Sequence, residues 1–148
     1  MAQLKYGWVR GGKLSFPLPM GASEVINNLS GKFVKNDGSG RGEIAGDGDT
    51  ELLGWVEAEA GTLSATEGAT SFNCICDTNA VFRIPVNAGI YAATMLGKTC
   101  DLSVAAGIQG AQLDASAEDT LIIVGGSVAD QTVDVKLNPA KLGSTGVV

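Results

Sequence analysis

Three thiols, a set of carboxylates and a few aromatic rings are the side chains of this sequence whose types suggest chemistry. The 148 residues include no histidine, which is the side chain best suited to proton transfer near neutral pH and the commonest metal ligand. Its absence excludes the ordinary Ser-His-Asp triads and most zinc or iron sites. Any site must therefore be sought among the cysteines, the acidic residues and the aromatic rings.

The cysteines are candidate metal ligands because of their spacing. Cys74 and Cys76 alternate on a predicted strand and so share one face, where Cys100 could join them. Structural zinc takes four ligands, however, and no histidine completes the set. An odd number of cysteines suits a reducing compartment, in which thiols act as small buried hydrophobes. We therefore expect three packed core thiols, and no metal or cofactor.

The glycine-rich segment 35–50 offers oxygen ligands for a cation. Asp37-x-Ser39 begins like a calcium loop, but Arg41 stands where an oxygen ligand is needed and Gly48 replaces the closing glutamate. Asp47 and Asp49 could bind a cation, although a role as solvated turn residues explains them adequately. The sequence leaves this choice open.

Paired carboxylates could in principle hydrolyse a substrate, since residues 51–148 contain eleven acidic side chains. Nothing singles out a pair among them. The glycines form neither a GxGxxG between a strand and a helix nor a Walker-type loop, which argues against nucleotide binding. Without a candidate nucleophile and base, we expect the protein not to be an enzyme.

Aromatic side chains are the platforms on which sugars stack, and this chain has four that matter: Tyr6, Trp8, Trp55 and Tyr91. Tryptophan and tyrosine more often serve as core or interface anchors. A carbohydrate-binding adhesin module therefore remains an alternative function.

The elements that position these residues are short strands punctuated by the chain's 21 glycines. No long helix is indicated. The predicted strands of the second part of the chain are Glu51–Glu59, Ser71–Asp77, Val81–Ile84, Cys100–Val104, Leu121–Val124 and Thr132–Leu137. Strands at this spacing predict a mainly β protein with a small β-barrel or sandwich body.

Four local patterns give more specific expectations. A turn at Thr78-Asn79 predicts a hairpin of the strands before and after it. Ser23 is placed to cap a short helical turn. Segment 35–50 reads as a long surface loop. In the strand Thr132–Leu137, strict alternation predicts that Val133 points inward and Asp134 outward.

The first fifty residues differ from the rest of the chain. Residues 1–50 carry six basic and five acidic side chains, a net of +1, whereas residues 51–148 carry four basic and eleven acidic ones, a net of −7. Pro17-Leu18-Pro19 holds the backbone extended and denies it sheet hydrogen bonds. We therefore expect an extended N-terminal arm with a glycine-rich loop over 1–50 and a β-barrel body over 51–148.

The apolar residues of the arm are candidates for binding a partner, because the segment is too polar and too broken by proline to form a core of its own. The alternative, that they pack on their own barrel, stays open. These candidate partner-binding residues are Tyr6, Trp8, Phe16, Leu18 and Met20.

Charge and hydropathy narrow the class of partner. A formal net charge of −6 argues against coating a nucleic acid, since phosphate neutralisation needs clustered lysine and arginine. The sequence has neither the apolar stretch of a secretory leader nor an apolar run of about 18 residues that could span a bilayer. We expect no nucleic-acid or membrane partner and synthesis in the cytosol.

Four segments of the second part together resemble the small capsid decoration, or cement, proteins of tailed bacteriophages. They are Val81–Val86, Leu96–Leu102, Asp119–Gly126 and Val133–Pro139. The resemblance covers roughly residues 80–142 and rests on scaffold motifs. Residues 1–50 resemble no family that we can name.

The resemblance implies a β-rich virion structural protein that is made in the host cytoplasm and forms a homotrimer. Proteins of this family bind the major capsid protein on the capsid exterior at three-fold and quasi-three-fold positions, where they bridge neighbouring capsomers. The arm would then lie across the capsid lattice. A tail or baseplate protein of the same kind of particle is the other structural alternative.

Overall fold

The computed structural model describes residues 6–26, 32–58 and 60–143. They are mainly β, which confirms the predicted fold class, with several sheets in a sandwich-like body. In chain order the strands are β1 (Gly7–Arg10), β2 (Ser15–Pro19), β3 (Val25–Ile26), β4 (Lys32–Asn36), β5 (Gly42–Ile44), β6 (Gly54–Val56), β7 (Gly61–Thr62), β8 (Ser71–Ile75), β9 (Val81–Ala88), β10 (Thr99–Ala105), β11 (Ile108–Gln112), β12 (Leu121–Ser127) and β13 (Thr132–Leu137). Ala93–Met95 and Pro139–Lys141 form single 3-10 turns.

Five strands of the second part close into a ring. Their order is β9-β11-β10-β12-β13, and β13 pairs back onto β9, so every strand of the ring has two neighbours. The neighbours run antiparallel except for β11 and β9, which are parallel. Strand β1 extends the sheet along β9, where Trp8 lies opposite Phe82. Residues 81–137 therefore form a compact β unit with no free edge between its first and last strands.

A second sheet has the order β2-β8-β6-β4-β5. An isolated parallel bridge from Met20 to Gly42 brings its two outer strands together, and Gly21 donates a hydrogen bond to the Gly42 carbonyl at 2.9 Å. A Cβ on Gly42 would lie 2.6 Å from Leu18 Cδ2 and 2.7 Å from Met20 Sδ. Only glycine lets the two outer strands approach this closely.

The two sheets pack through three aromatic rings. Phe33 and Trp55 of the second sheet meet edge to face with centroids 4.6 Å apart, and Trp55 stacks on Phe82 of the ring at 5.3 Å. All three side chains are buried in the core between the ring and the second sheet, which we call the first core. Paired aromatic rings add about 0.5–1.5 kcal/mol to the stabilisation from buried area, so this junction fixes the two sheets against each other.

The central strands of the second sheet are buried on both faces. Successive side chains of a strand point to opposite faces, so Phe33 reaches the ring while Val34 faces away from it. The far side holds a second core that includes residues from the first part of the chain. Its buried members are Leu18, Met20, Ile26, Val34, Val56, Ala58 and Cys74.

The strand pairing crosses the boundary that the sequence suggested at residue 50. Strand β2 pairs with β8 over its whole length, and β4 pairs with β6. Pro17 and Pro19 lie within β2, so the expectation that this segment makes no sheet hydrogen bonds is wrong. Strand β2 is an outer strand of the sheet, where residues without an N–H are tolerated. Strands β2, β4 and β5 of the first fifty residues therefore share one sheet with β6 and β8, which differs from an arm that lies apart from the body.

Three local expectations are wrong. Strand β8 pairs with β2 and β6, whereas β9 joins the ring, so the turn at Thr78-Asn79 carries the chain between sheets and forms no hairpin. Ser23 has a φ of +57° and precedes strand β3, which excludes the helical turn. Segment 35–50 contains strand β5 and the core residue Ala45.

Strand β13 also differs from its predicted alternation. Val133 points inward as predicted, but Asp134 is only 6% exposed. Its carboxylate accepts hydrogen bonds from Arg83 at 2.8 Å and from Arg10 at 3.4 Å, and these two side chains cover it. Asp134 thus points outward from the strand but is buried by its ion pairs with two arginines, and the alternation within one strand does not reveal this.

Candidate functional site

The five candidate partner-binding residues do not occupy one surface. Leu18 and Met20 are buried in the second core, and Phe16 packs against that core while half-buried. Trp8 packs against the first core on the ring side, and Tyr6 is half-exposed just before β1. Leu18 and Met20 can therefore reach a partner only if the second sheet opens.

Trp8 has a further contact on its ring face. The Lys13 ammonium lies 4.3 Å from the ring centroid, which is a cation–π contact. Trp55 and Tyr91, two of the four candidate sugar platforms, are 1% and 4% exposed. A sugar could stack only on Tyr6 or Trp8, and the lysine already covers one face of Trp8.

The thiols occupy separate places, and the expectation of three core thiols is wrong for Cys76. Cys74 is buried in the second core and Cys100 in the first, while Cys76 is half-buried with its Sγ 3.6 Å from the Leu14 carbonyl. Burial raises the pKa of the Cys74 and Cys100 thiols to about 12 each. The two buried thiols therefore stay protonated near neutral pH and act as apolar side chains.

The aspartates of the glycine-rich segment bind protein groups. Asp47 Oδ1 accepts the Val104 N–H at 2.6 Å, which ties the segment to strand β10. Asp49 pairs with Lys35 at 2.7 Å and accepts the Gly46 N–H. Within residues 6–26, 32–58 and 60–143, no group of three or more His, Cys, Asp or Glu residues is placed to hold a metal ion.

Lys32 is a buried cation that the sequence reasoning missed. The residue is 1% exposed, its Nζ donates to the Gly107 carbonyl, and no salt bridge to it occurs among the residues that the structure describes. Burial lowers the pKa of this ammonium below 10.5. Its position at the start of a strand that also carries Phe33 and Val34 is the only sequence signal that could have indicated burial.

Lys32 is expected to make stability rise with pH. Between its lowered folded pKa and the ordinary value of 10.5, the unfolded chain binds more protons than the folded one, so the free energy of unfolding increases with pH. Urea titrations of the wild type and Lys32→Met across this window are expected to show that the stability of the wild type relative to the variant increases with pH. Lys35→Met is the control of opposite sign, because the bond to Asp49 raises the pKa of Lys35 and its contribution is lost only above 10.5. A constant difference between wild type and Lys32→Met would contradict the assignment.

One end of the ring exposes apolar side chains on segments that hydrogen-bond to each other. Ile90 is 73% exposed and Val128 59% exposed. The Gln131 side chain links their segments: its Oε1 accepts the Tyr91 N–H at 2.8 Å and its Nε2 donates to the Val128 carbonyl at 2.9 Å. Leu96, 53% exposed, follows on the segment that runs beside β12. We call Ile90, Leu96 and Val128 the apolar end patch.

A cleft of about 650 Å³ lies at the open mouth of the β10–β11 hairpin. One wall is formed by the segment 97–100 and the other by 112–116, with Met95 and Ile123 also lining it. We call this the hairpin cleft. Its volume lies within the range of small-ligand pockets.

The far wall of the hairpin cleft is held by a buried carboxylate. Asp101 is 2% exposed and accepts the backbone N–H groups of Ala117 at 2.9 Å, Glu118 at 3.0 Å and Asp119 at 2.8 Å. Burial favours the neutral form of Asp101, but these hydrogen bonds outweigh burial and hold its pKa below the ordinary value. The ionised carboxylate fixes the loop, and nothing in this geometry supplies a nucleophile with a base.

The structure contains no helix among its described residues that is long and apolar enough to cross a membrane. Comparison of the sequence with protein-family models and with curated proteins finds no match.

Proposed function

We propose that this chain is a virion structural protein, a decoration protein that binds the outer surface of a tailed-phage capsid as an oligomer and stabilises contacts between capsomers. Its partners would be further copies of itself, as a homotrimer, and the major capsid protein. It would act through complementary surfaces, without chemistry and without a cofactor.

One observation carries this proposal. The residues that resemble decoration proteins, roughly 80–142, coincide with the ring of β9 to β13, whose inward side chains form most of the core that the ring shares with the second sheet. The resemblance thus falls on one complete structural unit and not on scattered strands.

The apolar end patch supports contact with a partner. Isolated apolar side chains are common on protein surfaces, but here three of them belong to segments that Gln131 and β12 hold in place. A surface that is fixed before binding loses little conformational entropy when a partner covers it. We therefore expect this end of the ring to form part of the oligomer or capsid contact.

Co-sedimentation tests the proposal. The purified protein is expected to bind DNA-filled heads of the phage that encodes it when those heads lack the protein, and to raise the temperature at which they release DNA. Binding to isolated tails in place of heads would favour the tail or baseplate alternative. A strictly monomeric protein with no affinity for either particle would contradict the proposal.

The variant Ile90→Ser with Val128→Ser is expected to weaken head binding or oligomerisation at least tenfold, because it removes two exposed apolar side chains without touching the core. Ile108→Ser, which alters a 41% exposed side chain at the β10–β11 turn, is the matched control. Equal affinity of the double variant and the control would remove the end patch from the contact.

A further inference from the structure

We propose that the hairpin cleft binds an extended peptide segment with a single apolar side chain and uncharged polar flanks. The cleft adjoins the apolar end patch at Leu96, whose neighbours Met95 and Gly97 line it, but the proposal does not depend on attachment to a capsid.

The backbone beside the cleft is prepared to accept a strand. The β10–β11 ladder ends at the pair Asp101 and Gln112, so β11 does not accompany the residues of β10 that precede Asp101. On its other edge β10 continues along β12, where the Lys98 carbonyl accepts the Ile123 N–H at 2.9 Å. Backbone groups of successive residues point to opposite edges, so those of Thr99 face the cleft. An added peptide can hydrogen-bond to them there.

The cleft also offers an apolar floor. Met95 and Leu113 are half-buried and pack against the first core, and Ile123 and Cys100 are buried in it. The Cys100 thiol is protonated near neutral pH, since its pKa is about 12. These four side chains surround space for one aliphatic side chain of a peptide, which would be removed from water there.

The rim sets the charge of the occupant. Lys98 stands on one wall and Asp114 on the other, and neither takes part in an ion pair among the described parts of the chain. Asp114 would repel a strongly acidic peptide, and Lys98 would repel a strongly basic one. The amide of Gln112 suits hydrogen bonding to uncharged polar flanks. The hydroxyls of Thr99 and Ser116 donate to the Asp119 carboxylate, and their oxygens can still accept from a peptide.

The walls are fixed before any peptide arrives. Asp101 holds the loop 117–119 through three backbone N–H groups, and the Asn138 amide donates to the Asp119 carbonyl at 2.8 Å. Thr99 Oγ1 donates to the Asp119 carboxylate at 2.9 Å, and Ser116 Oγ on the other wall donates to the same carboxylate, so Asp119 joins the two walls. Such preorganisation lowers the entropic cost of binding.

A set of three capped pentapeptides tests the proposal on the unmodified protein. Acetyl-Thr-Thr-Leu-Thr-Thr-amide is expected to shift the amide NMR signals of Thr99 and Asp114 and to bind about tenfold or more tightly than the same peptide with glycine in place of leucine. A third peptide with an N-methylated leucine is expected to lose most of the affinity, because it cannot complete the strand pairing.

Two alanine-to-tryptophan variants locate the binding. Ala115→Trp fills the cleft from its exposed wall and is expected to abolish peptide binding, whereas Ala129→Trp, in the exposed β12–β13 turn, is expected to leave it unchanged. Equal affinity for the leucine and glycine peptides, or shifts confined to residues outside the cleft, would overturn the proposal. The peptide series decides the matter even if Ala115→Trp does not fold.

Discussion

Replacing Met20 with alanine is expected to lower the free energy of unfolding by about 2–5 kcal/mol. Met20 is 1% exposed and lies in the second core, where its Sδ would be 2.7 Å from a Cβ placed on Gly42. Truncation removes buried apolar surface and leaves a cavity that the two joined outer strands cannot close without breaking the bridge from Met20 to Gly42. The isolated protein should show the whole loss, in the absence of any partner.

Leu14→Ala is the matched control for this prediction. Leu14 belongs to the same N-terminal region but is 68% exposed, so its truncation is expected to change stability by no more than about 0.5 kcal/mol. Urea unfolding of the wild type and both variants measures the difference. If Met20→Ala proved as mild as Leu14→Ala, residues 15–20 would not belong to the core, and an arm that binds a partner would again be the better interpretation.

Gln109→Leu is expected to destabilise the protein by about 3–5 kcal/mol, because it removes the partners of two buried backbone groups. Gln109 is 1% exposed in β11, and its side chain reaches across to the second sheet. Its Oε1 accepts the Phe33 N–H at 2.8 Å, and its Nε2 donates to the carbonyls of Phe33 at 2.9 Å and Ala45 at 2.8 Å. Leucine fills similar space but leaves the Phe33 N–H and the Ala45 carbonyl without this partner.

Gln112→Leu, three residues further along the same strand, separates the amide contribution from a general effect of leucine. Gln112 is half-buried at the hairpin cleft, so we expect a change of no more than about 0.5 kcal/mol. The free energies come from the same urea titrations. A loss below about 1 kcal/mol for Gln109→Leu would mean that water replaces the amide, and that the hydrogen bonds between the sheets contribute little.

Much of the ring could be predicted from the sequence. The apolar run at Leu121 and the alternation from Thr132 to Leu137 are local patterns, and both segments form strands of the ring. The burial of Cys74 and of Cys100 among apolar neighbours also follows from residue type. These features depend only on residue type and on the local spacing of apolar residues along the chain.

The parts that failed depend on distant partners. Ser71–Ile75 has the pattern of a hairpin strand, yet it pairs with Ser15–Pro19 and with Gly54–Val56. A two-residue turn favours pairing across it, but burial of Ile75 against the ring and of Cys74 in the second core favours a strand in another sheet. Long-range burial outweighed the local signal.

The candidate site could be predicted only in part. Leu18 and Met20 are apolar, so their burial could be predicted. Residue type does not tell whether the same chain or a partner covers them. The sequence could not distinguish Asp47 from a solvated turn residue. Its carboxylate accepts the Val104 N–H only when segment 35–50 folds onto β10, and that contact depends on the whole fold. Lys32 carried no signal of its own, since lysine is rarely buried.

The pairing of β1 with β9 and of β2 with β8 bears on how the chain folds as the ribosome produces it. Trp8 lies opposite Phe82 and Phe16 opposite Cys74, so more than half of the polypeptide must leave the exit tunnel before either N-terminal strand finds its neighbour. Until then apolar side chains such as Leu18 stay in water, where they attract other nascent chains and chaperones. Pro17 and Pro19 deny hydrogen bonds to a passing strand and so protect the emerging segment from aggregation.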